Sequence, residues 1–390
     1  MNAVMNFLFP NDMHVEWSLM VVLYPYITGL VAGAFIVSSL YHVFGRTEFK
    51  PVSRFALLTS LAFMLCATLP LLNHLGHPER ALNILITPNF TSAMAGFGIL
   101  YSIYLIILIF EVWLVFRPDI IENAKRSRGI KQTIYKILAL GVYNVSPEAL
   151  DFDRKVTTVL SAIGIPAACM LHGYVGFLFG AIKANPWWST PLMPIIFLFS
   201  AVVSGMALLI ILYQLIMKFS GWKIEDSCIS ALVRWLWLFL IMTITLELLE
   251  IITLAYKQAD EWEVIRPLLA NQLSFSFITI QMIIGALIPF ILLMVMVIMD
   301  KYIQSRLRNT LSLAAAFLLM IQVFSMRWNV VIGGQIFSKS MRGYRDYHSE
   351  FFAKEGILAA IIILSLPFII LFIMNRIVPG FKNMRPADDK

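Results

Sequence analysis

Nine charge-poor apolar stretches, each long enough to cross a bilayer, occupy most of this 390-residue chain. A hydrocarbon core of about 30 Å takes roughly 20 helical residues, so such runs predict transmembrane helices. They fall at residues 18–44, 55–75, 92–116, 156–182, 192–217, 231–256, 273–299, 309–326 and 356–375. The expected fold is an all-α integral membrane protein. A composition with 59% hydrophobic and only 14% charged residues would leave far too much apolar surface on a soluble fold.

The formal net charge of +7 then needs no nucleic acid, because Lys and Arg gather in the loops of membrane proteins. Most of them lie after the first, third, fifth and seventh stretches and in the C-terminal tail, among them Arg46, Arg117, Lys125, Arg126, Lys218, Arg308 and Arg376. That side reads as cytoplasmic, which places the N-terminus outside and the C-terminus inside a prokaryotic cytoplasmic membrane. The first residues lack a basic start, and the first apolar run is too long for a secretory signal. Cys66, Cys169 and Cys228 show no CxxC spacing, so neither a disulfide framework nor a cysteine metal site is expected. The basic-then-acidic insert at 117–155 contains a stretch, 131–140, that reads either as an amphipathic helix drawn to anionic lipids or as a solvated connector.

Counting about 1.5 Å per residue puts most intramembrane polar groups near the outer face. Asn73 and His74 end the second stretch, and His172 lies about 24 Å from the inner start of the fourth, near Tyr174. Glu247 and Glu250 share a face of the sixth, being i and i+3. Arg327 closes the eighth. His74 and Arg327 either join this layer or snorkel to the interface. His172 is either a ligand-binding imidazole or a satisfied core residue. Two carboxylates one turn apart in an apolar helix share protons or need a cation. Toward the inner face, Glu111 and Arg234 are candidates for onward proton transfer or ordinary interface charges; thirteen residues separate Arg234 from Glu247, about 20 Å along the axis.

Imidazole and carboxyl groups in an apolar layer suit a quinone, whose carbonyls accept hydrogen bonds and whose two-electron reduction takes up two protons. Two other classes compete. A b-type cytochrome needs facing axial histidines, for which His74 with His172 is the one intramembrane pair. A secondary transporter would use the carboxylates for a coupling ion, and the inverted repeats it would call for are not evident.

The segments LLNHLGHPERALN (71–83), SAMAGFGILYS (92–102), MLHGYVGFLFGAIKANPWWSTPLMPIIFLFSAVVSG (170–205) and RWNVVIGGQ (327–335) resemble the NrfD/PsrC family of polysulfide reductase-type integral membrane subunits. The last of them, with the ninth stretch, is most similar to the DsrP-type branch. The resemblance implies two four-helix bundles, 18–182 with the insert 117–155 and 183–330, between an outer tail 1–17 and an outer loop 331–355, with a ninth helix and tail at 356–390. It also implies a haem-free subunit that binds menaquinone or ubiquinone near the outer face, beside an iron-sulfur ferredoxin-like partner and further redox subunits of molybdopterin, cytochrome c or sulfur-metabolism type. His172 and Tyr174 fall in the segment that helps form the family's pocket. Asn73, His74, Gly76, Pro78 and Arg80 fall on its DLGxP pattern, with His74 where Asp is common. Trp187 and Trp188 are either partner contacts or interfacial belt residues; Lys339, Arg342, Tyr344, Arg345 and Tyr347 offer a further docking surface.

Overall fold

The structure, a computed structural model, describes residues 15–257, 260–337 and 343–381. Lys339 and Arg342 lie outside the described residues, as do 1–14 of the N-terminal tail and 382–390 of the C-terminal tail. Among the described residues nine helices are long and apolar enough to span a membrane: α1 Leu19–His42, α2 Thr47–His74, α3 Ala93–Arg126, α4 Pro147–Gly180, α5 Met193–Ser220, α6 Asp226–Lys257, α7 Ser274–Ile298, α8 Ser305–Ile336 and α9 Ile357–Ile377. The chain is a multi-span, all-helical integral membrane protein; its β structure among the described residues is one isolated bridge between Phe337 and Tyr344. We call the end at which α1 begins the first face and the opposite end the second face.

Local chemistry sets the helix ends. Ser18 caps α1 by accepting from the Met20 amide at 3.2 Å, and Ser146 caps α4 by accepting from the Ala149 amide, with Pro147 in the first turn. Gly221 ends α5 with φ 68°, and the Trp222 amide reaches back to the Met217 carbonyl at 2.9 Å. That left-handed turn suits a residue without a Cβ.

Hydropathy marks where charges begin, not where helices stop, and three spans, α3, α4 and α8, outrun their expected bounds. Helix α3 continues to Arg126 and α4 starts at Pro147, so much of the insert 117–155 is helical extension beyond the apolar zone. Arg117 is buried and bonds Asp153 on α4 and the Asn144 carbonyl, and Arg54 on α2 pairs with Asp119. Helix α8 likewise passes through Arg327 to Ile336. Arg327 is therefore no interfacial side chain: it is 0% exposed.

Consecutive spans pack from α1 through α4 and again from α5 through α8, while α1 and α4 pack on α5, α1 meets α8, and α9 lies against α2. Helix α1 is nearly enclosed. Its closest crossing is with α5, where a Cβ on Gly33 would lie 2.7 Å from the Gly205 Cα and one on Gly205 would lie 2.5 Å from the Gly33 Cα. Small residues of this kind let backbones touch inside a membrane, where dispersion contacts take over from the hydrophobic effect. Near the first face, the segment before α9 straps over the starts and ends of other helices. The Tyr347 hydroxyl accepts from the Leu19 amide at 2.9 Å, and Asn73 donates to the Lys354 carbonyl at 2.8 Å.

The glycine crossing generates a direct test. Gly205→Val forces α1 and α5 apart and should destabilise the protein by about 1–3 kcal/mol or more, read as a lowered thermal midpoint of the purified protein in detergent. A midpoint equal to that of the parent chain would contradict this packing.

Candidate functional site

The predicted polar layer resolves into two levels. At the first face, His74 Nδ1 meets Glu355 at 2.8 Å, and Ser18 also donates to Glu355. His172 instead packs at Gly29, its Cε1 3.3 Å from where a Cβ there would sit. Gly29 is eleven residues beyond Ser18 along α1, about 16 Å deeper. Asn73 and His74 thus belong to the strap, and His74 does not face His172 at one level as a shared haem iron would require. Tyr174 turns elsewhere, donating to the Ala93 carbonyl at the start of α3 at 2.8 Å.

His172 and Arg327 do meet. Arg327 Nη2 lies 3.2 Å from His172 Nε2, 2.8 Å from Ser200 Oγ and 3.2 Å from the Phe197 carbonyl, and the guanidinium sits 3.8 Å from the centre of the Phe197 ring. A guanidinium only donates, so the contact suits the His172 tautomer in which Nε2 accepts. Its Nδ1 has no hydrogen-bond partner among the described residues.

On the other side of this contact, α6, α7 and α8 bury an amide and carboxyl network. Glu247 accepts from Gln281 at 3.0 Å and Gln322 at 3.3 Å; Asn329 donates to Gln281 at 2.8 Å and accepts from Ser276 at 2.6 Å. The Trp187 indole donates to the Asn329 carbonyl at 3.0 Å and Trp188 to the Val330 carbonyl at 2.6 Å. Both indoles are buried, so they pin the loop before α5 onto α8 and belong neither to a belt nor to a free docking surface. Part of α7, Ser274–Leu287, is wound as a π-helix, and Gln281 lies in it. Wide turns of this kind recur at functional sites.

The network opens into a narrow cleft, about 390 Å³ with the open solvent at its mouth counted in, lined by Glu247, Glu250, Gln281 and Asn329 and by Trp187, Phe277, Met193, Ile196, Ile251, Met326 and Val330. Glu250 bonds Thr190 and keeps its Oε1 without a partner among the described residues. The arrangement sets two carboxyl groups and two amides between apolar walls, where a carboxyl can exchange a proton with a group that enters. Glu111 and Arg234 are not part of it. Glu111 is buried between α3 and α4, where Ser161 donates to it; Arg234 is exposed beside Ser230 and lines a second cleft with Asp300 and Arg308. Gln322, Ser276 and Ser200 escaped sequence reasoning. Gln322 and Asn329, seven apart in an apolar helix and so on one face, were the available signal.

Fold and site together define a polytopic membrane protein with a carboxylate-bearing cleft inside its helix bundle. Residues 9–339 match the family described as "Polysulphide reductase, NrfD", and the chain belongs to that family. It is 34% identical over 249 residues to a selenate reductase subunit of Mesobacillus selenatarsenatis, covering 62% of this chain and 58% of the relative. It is 24% identical over 330 residues to "Protein NrfD homolog" of Haemophilus influenzae, covering 83% and 95%. It is 23% identical over 218 residues to "Hdr-like menaquinol oxidoreductase integral membrane subunit" of Archaeoglobus fulgidus, covering 56% and 47%. The chain thus spans about half the length of several of the curated relatives it matches.

Arg327→Ala would take the guanidinium from His172 and open a cavity, at a cost of about 3–5 kcal/mol, while Ser200 and the Phe197 carbonyl stay bonded to each other. Arg327→Lys keeps the charge but loses the planar fork and should cost less. The exposed Arg234→Ala should fall within about 0.5 kcal/mol of the parent. Thermal midpoints in detergent rank the three; an Arg327→Ala midpoint matching that of Arg234→Ala would contradict the burial described.

Proposed function

We propose that this chain is the quinone-reactive membrane subunit of a multisubunit reductase-type oxidoreductase, exchanging electrons between membrane menaquinone or ubiquinone and an iron-sulfur partner at the first face. The observation that carries the proposal is the cleft: apolar and aromatic walls converge on the free oxygen of Glu250, with Glu247 held behind it by Gln281 and Gln322. Two relatives bear names that point the same way, a selenate reductase subunit and a menaquinol oxidoreductase integral membrane subunit. Within the family we place the chain on the DsrP-type branch, and we take the first face as the outer one because the second carries most of the Lys and Arg.

Quinone reduction takes up two electrons and two protons, and quinol oxidation returns them. In this reading Phe277 and Trp187 orient the ring, the isoprenoid tail leaves between apolar side chains toward lipid, and Glu250 exchanges the proton at the nearer ring oxygen. Glu247, one turn away and held in place by the Gln281 and Gln322 amides, is the second carboxyl group that can take up or release a proton. Arg327, against Met326 of the cleft wall and beside His172, is a fixed positive charge that favours negative charge arriving in the cleft. Electrons reach the cleft through the neighbouring subunit.

A proton supply from the second face would run through the first four helices. There Glu111 Oε2, Ser38 Oγ and His42 Nε2 are buried without hydrogen-bond partners among the described residues. Thr158 donates to the His42 carbonyl at 3.3 Å and Ser161 to Glu111. Buried polar atoms of this kind are commonly bridged by water.

Positioned acid–base groups contribute about 10²–10⁴-fold to rate. In the intact complex, Glu250→Gln and Glu247→Gln should lower quinol-linked turnover at least about 100-fold, with quinone still bound, and His172→Ala should weaken quinone affinity. Turnover and affinity unchanged in all three would overturn the assignment of this cleft.

A further inference from the structure

The insert between α3 and α4 contains a short helix that the function above does not use. From 125 to 147 the sequence carries Lys125, Arg126, Arg128, Lys131 and Lys136 and no Asp or Glu. Its helix, Ile130–Leu138, does not lie flat across the second face. Gln132 donates to the Ala124 carbonyl at 3.4 Å and the Trp113 indole donates to the Leu138 carbonyl at 2.9 Å. The helix therefore runs antiparallel to the extension of α3, descending about 9 Å from Gln132 to Leu138 toward the apolar zone. Tyr135 fastens it sideways to the last residue of α9, donating to the Ile377 carbonyl at 2.8 Å.

These anchors decide which face is free. Gln132, Tyr135 and Leu138 turn inward, so Ile130, Ile134 and Ile137 form an outward stripe at i, i+4 and i+7, with exposures of 82%, 41% and 66%. Leu140, 69% exposed, is held at φ 50°, a backbone region a leucine adopts only under strain. An apolar stripe left open to this extent marks an interaction surface.

The occupant follows from position and charge. Trp113 is one turn beyond the exposed Ile109 and Phe110 of α3, and Ile377 is one turn beyond the exposed Ile373 of α9. Ile137 and Leu140 thus continue the surfaces those spans turn to lipid. Arg128, Lys131 and Lys136 carry no ion pair among the described residues, whereas Arg126 pairs with Glu122 at 3.0 Å. We propose that this helix and the turn after it form a binding site for anionic phospholipid headgroups at the second face. Ile137 and Leu140 enter the acyl boundary while Arg128, Lys131 and Lys136 reach the phosphates in the headgroup layer, an arrangement in which each base strengthens binding roughly fivefold.

The test uses the full chain in nanodiscs of phosphatidylcholine with phosphatidylglycerol. Lipids retained after gentle extraction are counted by native mass spectrometry for the parent and for the triple variant Arg128→Gln, Lys131→Gln, Lys136→Gln. The parent should retain phosphatidylglycerol in preference to phosphatidylcholine, and the triple variant should lose at least about tenfold of that preference while keeping its thermal midpoint in pure phosphatidylcholine. Lys136→Gln alone gives a smaller loss and serves if the triple variant fails to fold. An environment-sensitive dye on Ile137→Cys, with the unsubstituted chain as background, should be quenched by lipid-borne nitroxide and spared by aqueous iodide. Undiminished preference in the folded variants overturns the proposal, as does an Ile137 label that iodide quenches until other subunits of the complex cover it. None of these readouts involves quinone, so their outcome stands apart from that of the cleft.

Discussion

A guanidinium with no exposed surface, inside a bundle that lipid surrounds, is the constraint around which the rest is arranged. Burying an isolated charge there is costly, and the cost falls only when the surroundings supply acceptors and polarisable surface. Arg327 receives a backbone carbonyl, a hydroxyl, an imidazole and the face of an aromatic ring. Those groups come from α4 and α5 and all meet Nη2, so the contacts of one side chain on α8 hold three helices in register while its Nε has no partner among the described residues. The close approach of α1 to α5 at Gly33 and Gly205 adds the backbone contact that makes the enclosure tight.

The same rule shapes the other side of Arg327. Glu247 and Glu250 sit in a helix whose outer surface is largely open to lipid, yet Glu247 is only 5% exposed because Gln281 and Gln322 turn toward it. Amides suit this position: each can donate to a carboxylate while accepting from a further donor, as Gln281 does from Asn329. The result is a polar network in which Glu250 Oε1 and Gln322 Oε1 are left without a partner among the described residues. A site for exchanging protons with a ring oxygen needs that combination of rigid support and an available group.

Much of this was legible in the residues. The apolar runs gave the number and rough place of the spans, and Glu247 with Glu250 stood out because two carboxylates in an apolar helix have few innocuous explanations. Arg327 and His172 were visible as polar residues in apolar company, but their partnership was not. Reading depth from helix starts placed His74 and His172 together, whereas α1 shows them about 16 Å apart in depth, because a helix may extend past its apolar run or bend before its end. Trp187 and Trp188 had the look of surface aromatics and proved to be clamps. Nothing in a tryptophan's identity says whether its indole meets water or a carbonyl.

By itself the sequence determined that this chain spans a membrane many times, which side collects the basic residues, and which few polar groups lie within the helices. Those are properties of transfer free energy, summed residue by residue along the chain. Only the tertiary structure decided which polar groups share a site, that Arg327 is enclosed rather than snorkelling, and that the helix at Ile130–Leu138 descends along α3 instead of lying flat. Such facts depend on the rotation and height of each helix relative to its neighbours, and these are set by packing and by the requirement that every buried donor find an acceptor.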